Sequence, residues 1–181
     1  LGASKVIGID PDFGHLKKAS ELSSAEFFPI HIDLNSSDYL DVFEDLQFDM
    51  VWMSDVFHFY FYSPDSSTPK VAPKDLLKRM CERMKTGDKC IIMQPHGVFW
   101  LSPWLGDDNK PFTVISEYSN RIYSVVPSLS EMTNAISGSG FVINNIYEPK
   151  PEKCDEKLKE SRFASEFPLW WVFECEKKWK I

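Results

Sequence analysis

Short apolar runs alternate along the chain with segments whose apolar residues recur at three and four positions. The runs predict buried strands, and the three-and-four spacing predicts amphipathic helices. The predicted strands are Lys5–Ile9, Phe27–Ile32, Phe48–Met53, Lys89–Met93, Phe141–Tyr147 and Leu169–Glu176. The predicted helices are Phe13–Leu22, Asp38–Leu46, Lys74–Lys85 with Gly87 as its stop, and one from the capping box Ser128–Glu131 to about Ser137.

This alternation predicts an α/β fold, with a mostly parallel sheet covered by helices on both faces. The last two strands are joined by a long charged segment without a clear helical pattern, so we expect them to form an antiparallel C-terminal hairpin. The 181 residues suffice for one core and are few for two, which predicts a single domain over residues 1–181.

Composition and charge narrow the choice of ligand. The net charge of −7 disfavours a nucleic-acid partner bound through its phosphates and leaves a small molecule or a protein. No apolar run approaches the roughly 20 residues that cross a bilayer, so no membrane association is expected. Four scattered cysteines without a CxxC pair indicate free thiols in a reducing cytoplasm, and four isolated histidines do not predict a metal site.

Acidic or small polar residues follow three successive predicted strands: Asp10, Asp33 and the pair Ser54-Asp55. Ligands of open α/β sheets bind at the carboxyl ends of the strands, and an acid there can accept hydrogen bonds from a ribose diol. Each acid taken alone could equally be a helix cap or a turn residue. Because they form an ordered set, a binding role is the preferred interpretation.

The order of these motifs carries a resemblance to a known family. The segments KVIGID, HIDL, FDMVWMSDVFHF and LLKRMCERMKTGDKCIIMQP, in this order, resemble class I S-adenosylmethionine-dependent methyltransferases. GFVINNIYEPKP and PLWWVFECEKK are similar to the closing antiparallel hairpin of that family. The resemblance covers nearly the whole chain and implies a Rossmann-like fold, S-adenosylmethionine as cofactor and methyl transfer as the reaction.

The resemblance also implies roles for individual residues. Asp10 would hold the ribose hydroxyls, Asp33 would accept a hydrogen bond from the adenine, and Ser54 would lie near the methionine part and the transferring methyl. The remaining implied contacts are Pro11 and Asp12 along the adenosine and Leu34 at the adenine.

One departure from the family pattern concerns the start of the chain. The family has a glycine-rich loop, E/DxGxGxG, roughly 20 residues before the ribose-binding acid. Only nine residues precede Asp10, and the opening LGASKVIGID resembles the end of the family's first helix running into its second strand. We therefore expect the first strand and its glycine loop to lie upstream of this sequence, which makes the domain truncated at its N-terminus.

Two histidines are candidates for a catalytic base, because His58 and His96 both follow strand ends on the expected ligand side. A structural turn residue is the alternative for each, whereas His15 and His31 are interpreted as structural. Aromatic residues near both candidates predict an apolar acceptor pocket, a lid, or an interface with a protein partner or a second copy. Core packing is the alternative for any one of them: Val56–Tyr62, Phe99, Trp100 and Trp104.

Three functions remain open at this point. A small-molecule methyltransferase is the preferred one. A methyltransferase-like domain without catalysis, serving as a binding or scaffold partner, is the second. The third is a fragment of another nucleotide-binding enzyme, such as a dehydrogenase; a parallel arrangement of the last two strands would favour it.

Overall fold

The computed structural model describes residues 2–33, 42–61, 71–97, 117–118, 121–122, 127–150 and 168–178. The chain groups into two compact units, Leu1–Asp45 and Leu46–Ile181. The strands are β1 (Lys5–Asp10), β2 (Glu26–His31), β3 (Phe48–Ser54), β4 (Met84–Pro95), β5 (Glu117–Tyr118), β6 (Arg121–Ile122), β7 (Phe141–Tyr147) and β8 (Trp170–Lys177). The helices are α1 (Phe13–Leu22), α2 (Pro73–Glu82) and α3 (Leu129–Gly138), and a 3₁₀ turn covers Phe57–Tyr60. No helix within the described ranges is long and apolar enough to cross a lipid bilayer.

The first unit is a βαβ arrangement in which β1 pairs parallel with β2. Its helix α1 begins after Asp12, whose Oδ1 accepts a hydrogen bond from the Gly14 amide at 2.7 Å. Leu16 is the buried residue of that helix. The predicted helix Phe13–Leu22 is confirmed. Of the predicted helix Asp38–Leu46, residues 38–41 lie outside the described residues, and residues 42–46 form a short 3₁₀ segment and a turn instead of an α-helix.

Gly8 of β1 leaves room for the ring of Phe27 on the neighbouring strand. A Cβ atom on Gly8 would stand 2.3 Å from Cζ of Phe27, so the ring of Phe27 lies where any larger residue would clash. β1 is half-buried rather than fully buried as predicted, because within the described part of the chain it pairs with β2 alone.

The second unit contains a four-stranded sheet in the order β3-β4-β8-β7. β3 and β4 are parallel, while β8 runs antiparallel to both β4 and β7. The prediction of an α/β fold with a C-terminal antiparallel pair is therefore confirmed. The last two strands, β7 and β8, are antiparallel, whereas a parallel arrangement of these two would have favoured a dehydrogenase.

One face of this sheet is buried beneath α2 and α3, which also pack on each other. α3 begins with the predicted capping box: Ser128 Oγ accepts from the Glu131 amide, and the Glu131 side chain accepts from the Ser128 amide at 2.8 Å. Fully burying a leucine, isoleucine, methionine or phenylalanine side chain contributes roughly 1.5–3 kcal/mol to the stability of the fold. Large side chains without exposed surface fill the space between helices and sheet: Leu76, Leu77, Ile92, Met132, Ile136, Phe141 and Phe173.

The boundary between α2 and β4 differs from the prediction. The helix ends at Glu82 rather than Lys85, and Gly87 lies inside the strand instead of terminating the helix. The Asp88 carboxylate accepts a hydrogen bond from the Lys85 amide at 2.6 Å, which closes a local turn, and Gly87 has φ +89°. The turn makes a bulge opposite Phe48, so the strand begins before the glycine.

Candidate functional site

The carboxyl ends of β1 and β2 lie side by side. Asp10 is the last residue of β1 and is paired with His31, the last residue of β2, and the Ile32 amide donates to the Asp10 carbonyl oxygen at 3.3 Å. Asp33 follows two residues later and is exposed. The two predicted acids therefore follow adjacent parallel strands at one edge of the sheet. Leu34 lies outside the described residues.

Hydrogen bonds order the loop after β1. Asp10 Oδ1 accepts from the Asp12 amide at 2.7 Å and lies 3.4 Å from His15 Nδ1. His31 Nε2 lies 2.8 Å from the Pro11 carbonyl oxygen. The two histidines interpreted as structural thus both contact this loop. Asp12, predicted to lie along the adenosine, is the N-cap of α1.

The Asp10 carboxylate fits a donor such as a sugar hydroxyl. Its contacts with the described residues all involve Oδ1, and its side chain is 33% exposed. Oδ2 is thus an acceptor atom on a side chain already oriented by the loop. A carboxylate accepts hydrogen bonds and does not donate them, which matches it to a hydroxyl pair.

At the end of β3, Asp55 adopts an unusual backbone conformation. Its φ of +55° is in the left-handed region, and its amide donates to the Met93 carbonyl oxygen at 2.8 Å, which ties the residue to β4. Burial raises the pKa of its carboxyl group, and a hydrogen bond from Ser54 at 3.3 Å opposes that shift. Strained residues of this kind cluster at functional sites. Ser54 was the residue predicted to contact the cofactor. The backbone strain at Asp55 could not be predicted from the sequence.

His58 lies in the 3₁₀ turn after β3, between the fully buried Phe57 and the ring of Phe59 at 4.0 Å. Burial lowers the pKa of its imidazole to about 4. The ring is therefore neutral at physiological pH, and such a low pKa makes it a weak base. Phe57 and Tyr60 belong to the core, while the aromatic residues Tyr62, Phe99, Trp100 and Trp104 lie outside the described residues.

His96 follows β4 and contacts the residue after β7 as well as residues at the start of β8. Its Nε2 lies 3.1 Å from Glu148 Oε1, and its amide donates to the Leu169 carbonyl oxygen at 2.8 Å. The centroid of its ring lies 4.3 Å from that of Trp171, whose Nε1 donates to the same Glu148 oxygen at 3.3 Å. His96 was predicted from the sequence and Glu148 was not, because no local pattern joins residues 52 positions apart.

Strand direction explains why these groups share one edge of the second unit. β3, β4 and β7 run in the same direction, so the residues that follow them gather at the carboxyl edge of the sheet. The residues gathered there are Ser54, Asp55, His96 and Glu148. Among the residues described, no cluster of three or more His, Cys, Asp or Glu side chains is arranged to bind a metal ion.

Comparison with known proteins identifies the family. The family model "Methyltransferase domain" matches residues 1–92 of the 181. A search of curated proteins found no match. Among solved structures, the chain resembles an S-adenosylmethionine-dependent methyltransferase from Listeria monocytogenes with 17% identity and a TM-score of 0.70, covering 98% of this chain and 82% of that chain.

A second such methyltransferase, from Mesorhizobium loti, has 15% identity and a TM-score of 0.63, covering 97% of this chain and 82% of the other. The N-methyltransferase NodS from Bradyrhizobium japonicum, in complex with S-adenosyl-L-homocysteine, has 6% identity and a TM-score of 0.54, covering 97% and 67%. At these identities the likeness concerns the fold. The family model spans just over half of the residues and agrees with that fold, so the chain belongs to the methyltransferase-domain family, the class I fold whose cofactor is S-adenosylmethionine.

Proposed function

We propose that this protein transfers a methyl group from S-adenosylmethionine to an oxygen or nitrogen atom of a small-molecule acceptor. The observation that carries the proposal is the Asp10 carboxylate at the end of β1, whose Oδ1 is held by its own loop while Oδ2 can accept from a hydroxyl. Asp33, on the neighbouring strand end, would contact the adenine. Ser54 would lie near the methionine part.

The residues of the chain would bind the cofactor, orient the acceptor and accept a proton. When bound, the cofactor supplies an electrophilic methyl group on a positively charged sulfur. Holding the acceptor in line with that methyl group can supply about 7–11 kcal/mol of the rate enhancement. His96 would accept the proton that the acceptor loses, whereas the low pKa of His58 favours a packing or positioning role for that ring.

Calorimetric titration of the full-length protein with S-adenosylmethionine tests the proposal. We expect binding in the wild type and an Asp10→Asn variant that binds about 10- to 100-fold more weakly, the loss expected for a hydrogen bond to a charged group. Glu21→Gln is the matched control, because this exposed carboxylate of α1 has no hydrogen bond or ion pair with the described residues.

Formation of S-adenosylhomocysteine with a panel of small hydroxyl and amine acceptors then measures turnover. Binding of the cofactor without turnover on any acceptor would favour the scaffold function that the sequence left open. Absence of cofactor binding in the wild type would overturn the proposal itself.

A further inference from the structure

The Glu148 carboxylate lies between two ring nitrogens at the carboxyl edge of the second unit. Its Oε1 is 3.1 Å from His96 Nε2 and 3.3 Å from Trp171 Nε1. An indole nitrogen only donates hydrogen bonds, and an ionised carboxylate only accepts them. Both nitrogens therefore carry their hydrogen toward the same oxygen, and this arrangement places the proton of a neutral His96 on Nε2.

From this geometry we propose that Glu148 is a positioning residue: it holds His96 in the Nε2-protonated tautomer, so that Nδ1 carries the lone pair that accepts the acceptor's proton. The inference rests on the proposed function and adds to it a residue and a specific atom. Hydrogen bonding at one ring nitrogen commonly sets the tautomer, and thereby the reactivity, of the other.

The surroundings hold the imidazole in one orientation. The ring stacks at a tilt of 59° against Trp171, a side chain that is only 8% exposed, and the backbone of His96 is bonded to Leu169 just before β8. Trp171 thus has two functions: its ring packs on the imidazole and its N–H group orients the carboxylate. A base that is held in place before the substrate arrives has less reorganisation to undergo during reaction.

In the proposed reaction the O–H or N–H bond of the acceptor breaks, and its hydrogen forms a bond to Nδ1 of His96. The acceptor's electron pair forms the new bond to the methyl carbon, while the electrons of the old carbon–sulfur bond stay on sulfur. The imidazolium that results is stabilised by the Glu148 carboxylate and afterwards loses its proton to water.

The test combines ring-nitrogen NMR with kinetics on three proteins. In wild-type protein labelled with ¹⁵N-histidine, at alkaline pH, we expect the His96 signals of a protonated Nε2 and an unprotonated Nδ1. Glu148→Leu, which removes the acceptor, should mix the two tautomers. Glu148→Gln, which keeps a carbonyl acceptor without the charge, should retain the wild-type pattern.

The variant that changes the tautomer more should also lose more activity. We expect Glu148→Leu to lower kcat about 10- to 100-fold with an unchanged KM for S-adenosylmethionine, and Glu148→Gln to lose less, since general bases contribute about 10²–10⁴-fold. The control is Glu174→Gln, because Glu174 is a carboxylate of β8 bound to Asn145 and Tyr147 rather than to a histidine. It should leave both the tautomer and kcat unchanged.

Two contrary results have different meanings. An active protein in which Glu148→Leu preserves both the tautomer and kcat would overturn the role of Glu148 and leave the proposed function intact. A protein without methyl transfer would overturn the proposed function, and the NMR spectra alone would then decide whether Glu148 sets the tautomer.

Discussion

Gln94 is fully buried in β4, two residues before His96. Its amide nitrogen donates to the sulfur of Met132, but its Oε1 has no hydrogen-bond partner among the described residues. A buried carbonyl oxygen left without a partner costs about 1–3 kcal/mol. A side chain of similar shape without this oxygen would avoid that energetic cost.

Replacing Gln94 by Met, which has nearly the same length and no carbonyl, should raise the free energy of unfolding by about 1 kcal/mol. The measurement is urea denaturation followed by circular dichroism. Gln47→Met, at an exposed position before β3, is the control and should change little. A clear loss of stability in Gln94→Met would show that the amide makes a hydrogen bond important to the fold.

The residues of the candidate site differ in how far the sequence could predict them. Asp10 and Asp33 were recognisable, because each follows an apolar run that has the composition of a strand. Glu148 was not, since its role depends on the antiparallel return that brings the end of β7 next to His96. The left-handed conformation of Asp55 follows from its tie to Met93, which is a tertiary contact.

The connection between α3 and β7 depends on a glycine. Gly140 has φ +105°, and a Cβ atom there would lie 3.0 Å from the sulfur of Cys81 on α2. Gly140→Ala should therefore lower the free energy of unfolding by about 1–2 kcal/mol for the backbone alone, and further for the contact. Thermal denaturation measures the loss.

A matched variant separates the two contributions. Gly87 has φ +89°, but a Cβ atom added there would meet no other atom within 4 Å, so Gly87→Ala reports backbone strain without the contact. The double variant Cys81→Ala/Gly140→Ala lacks the sulfur that the new Cβ atom would contact. It should therefore lose less unfolding free energy than the sum of the losses in the two single variants. Equal losses in the two glycine variants would contradict the steric part of this argument.

Hydrogen bonds across the exposed face of β8 make the stability of this sheet depend on pH. The Lys89 ammonium, 2.7 Å from Glu176 Oε2, lowers the pKa of that carboxyl group from its ordinary value of 4.5, and Asn144 adds a second hydrogen bond. Because the folded pKa is depressed, the stabilisation is complete above the unfolded value and is lost as pH falls through the folded one.

We therefore expect Glu176→Gln to lower the urea midpoint at neutral pH and to match the wild type at a pH below the depressed folded pKa, where the carboxyl group is protonated in both states. Asp49→Asn, at an exposed position of β3, is the control and should follow the wild type at both pH values. A difference between Glu176→Gln and wild type that persists in acid would contradict the assignment.

Whole elements were easier to predict than their ends. The bounds of α1 and β7 agree with the prediction, since capping and apolar periodicity are local signals. The boundary of α2 and β4 was wrong because Asp88 closes a side-chain turn that competes with the helix. Within α1, the apolar Phe13 is 60% exposed, because the exposure of a residue depends on tertiary packing and not on spacing alone.

At the scale of the whole molecule, the described cysteines report on the core of the second unit. Cys81, Cys90 and Cys175 are buried and unbridged, and Cys90 is paired with Cys175 across β4 and β8. Burial raises the pKa of all three thiols, that of Cys175 to about 12. Thiolate is the reactive form, so these groups should be inert in the folded protein.

In a Cys154→Ser variant, which removes the cysteine outside the described residues, a thiol-specific reagent should label no cysteine in native buffer. Labelling should appear with denaturant, together with the loss of circular dichroism. Rapid labelling of one thiol in native buffer would show that the core around that cysteine opens without global unfolding.

The antiparallel pairing of β8 constrains the length of this strand more than the length of the segment before it. Side chains alternate along a strand, so one residue inserted between Trp171 and Phe173 would turn the Trp171 indole away from the carboxylate it now contacts. Changes in length between Glu148 and Leu169 leave that alternation untouched. An insertion in this connecting segment should therefore be tolerated where the same insertion inside β8 would not be.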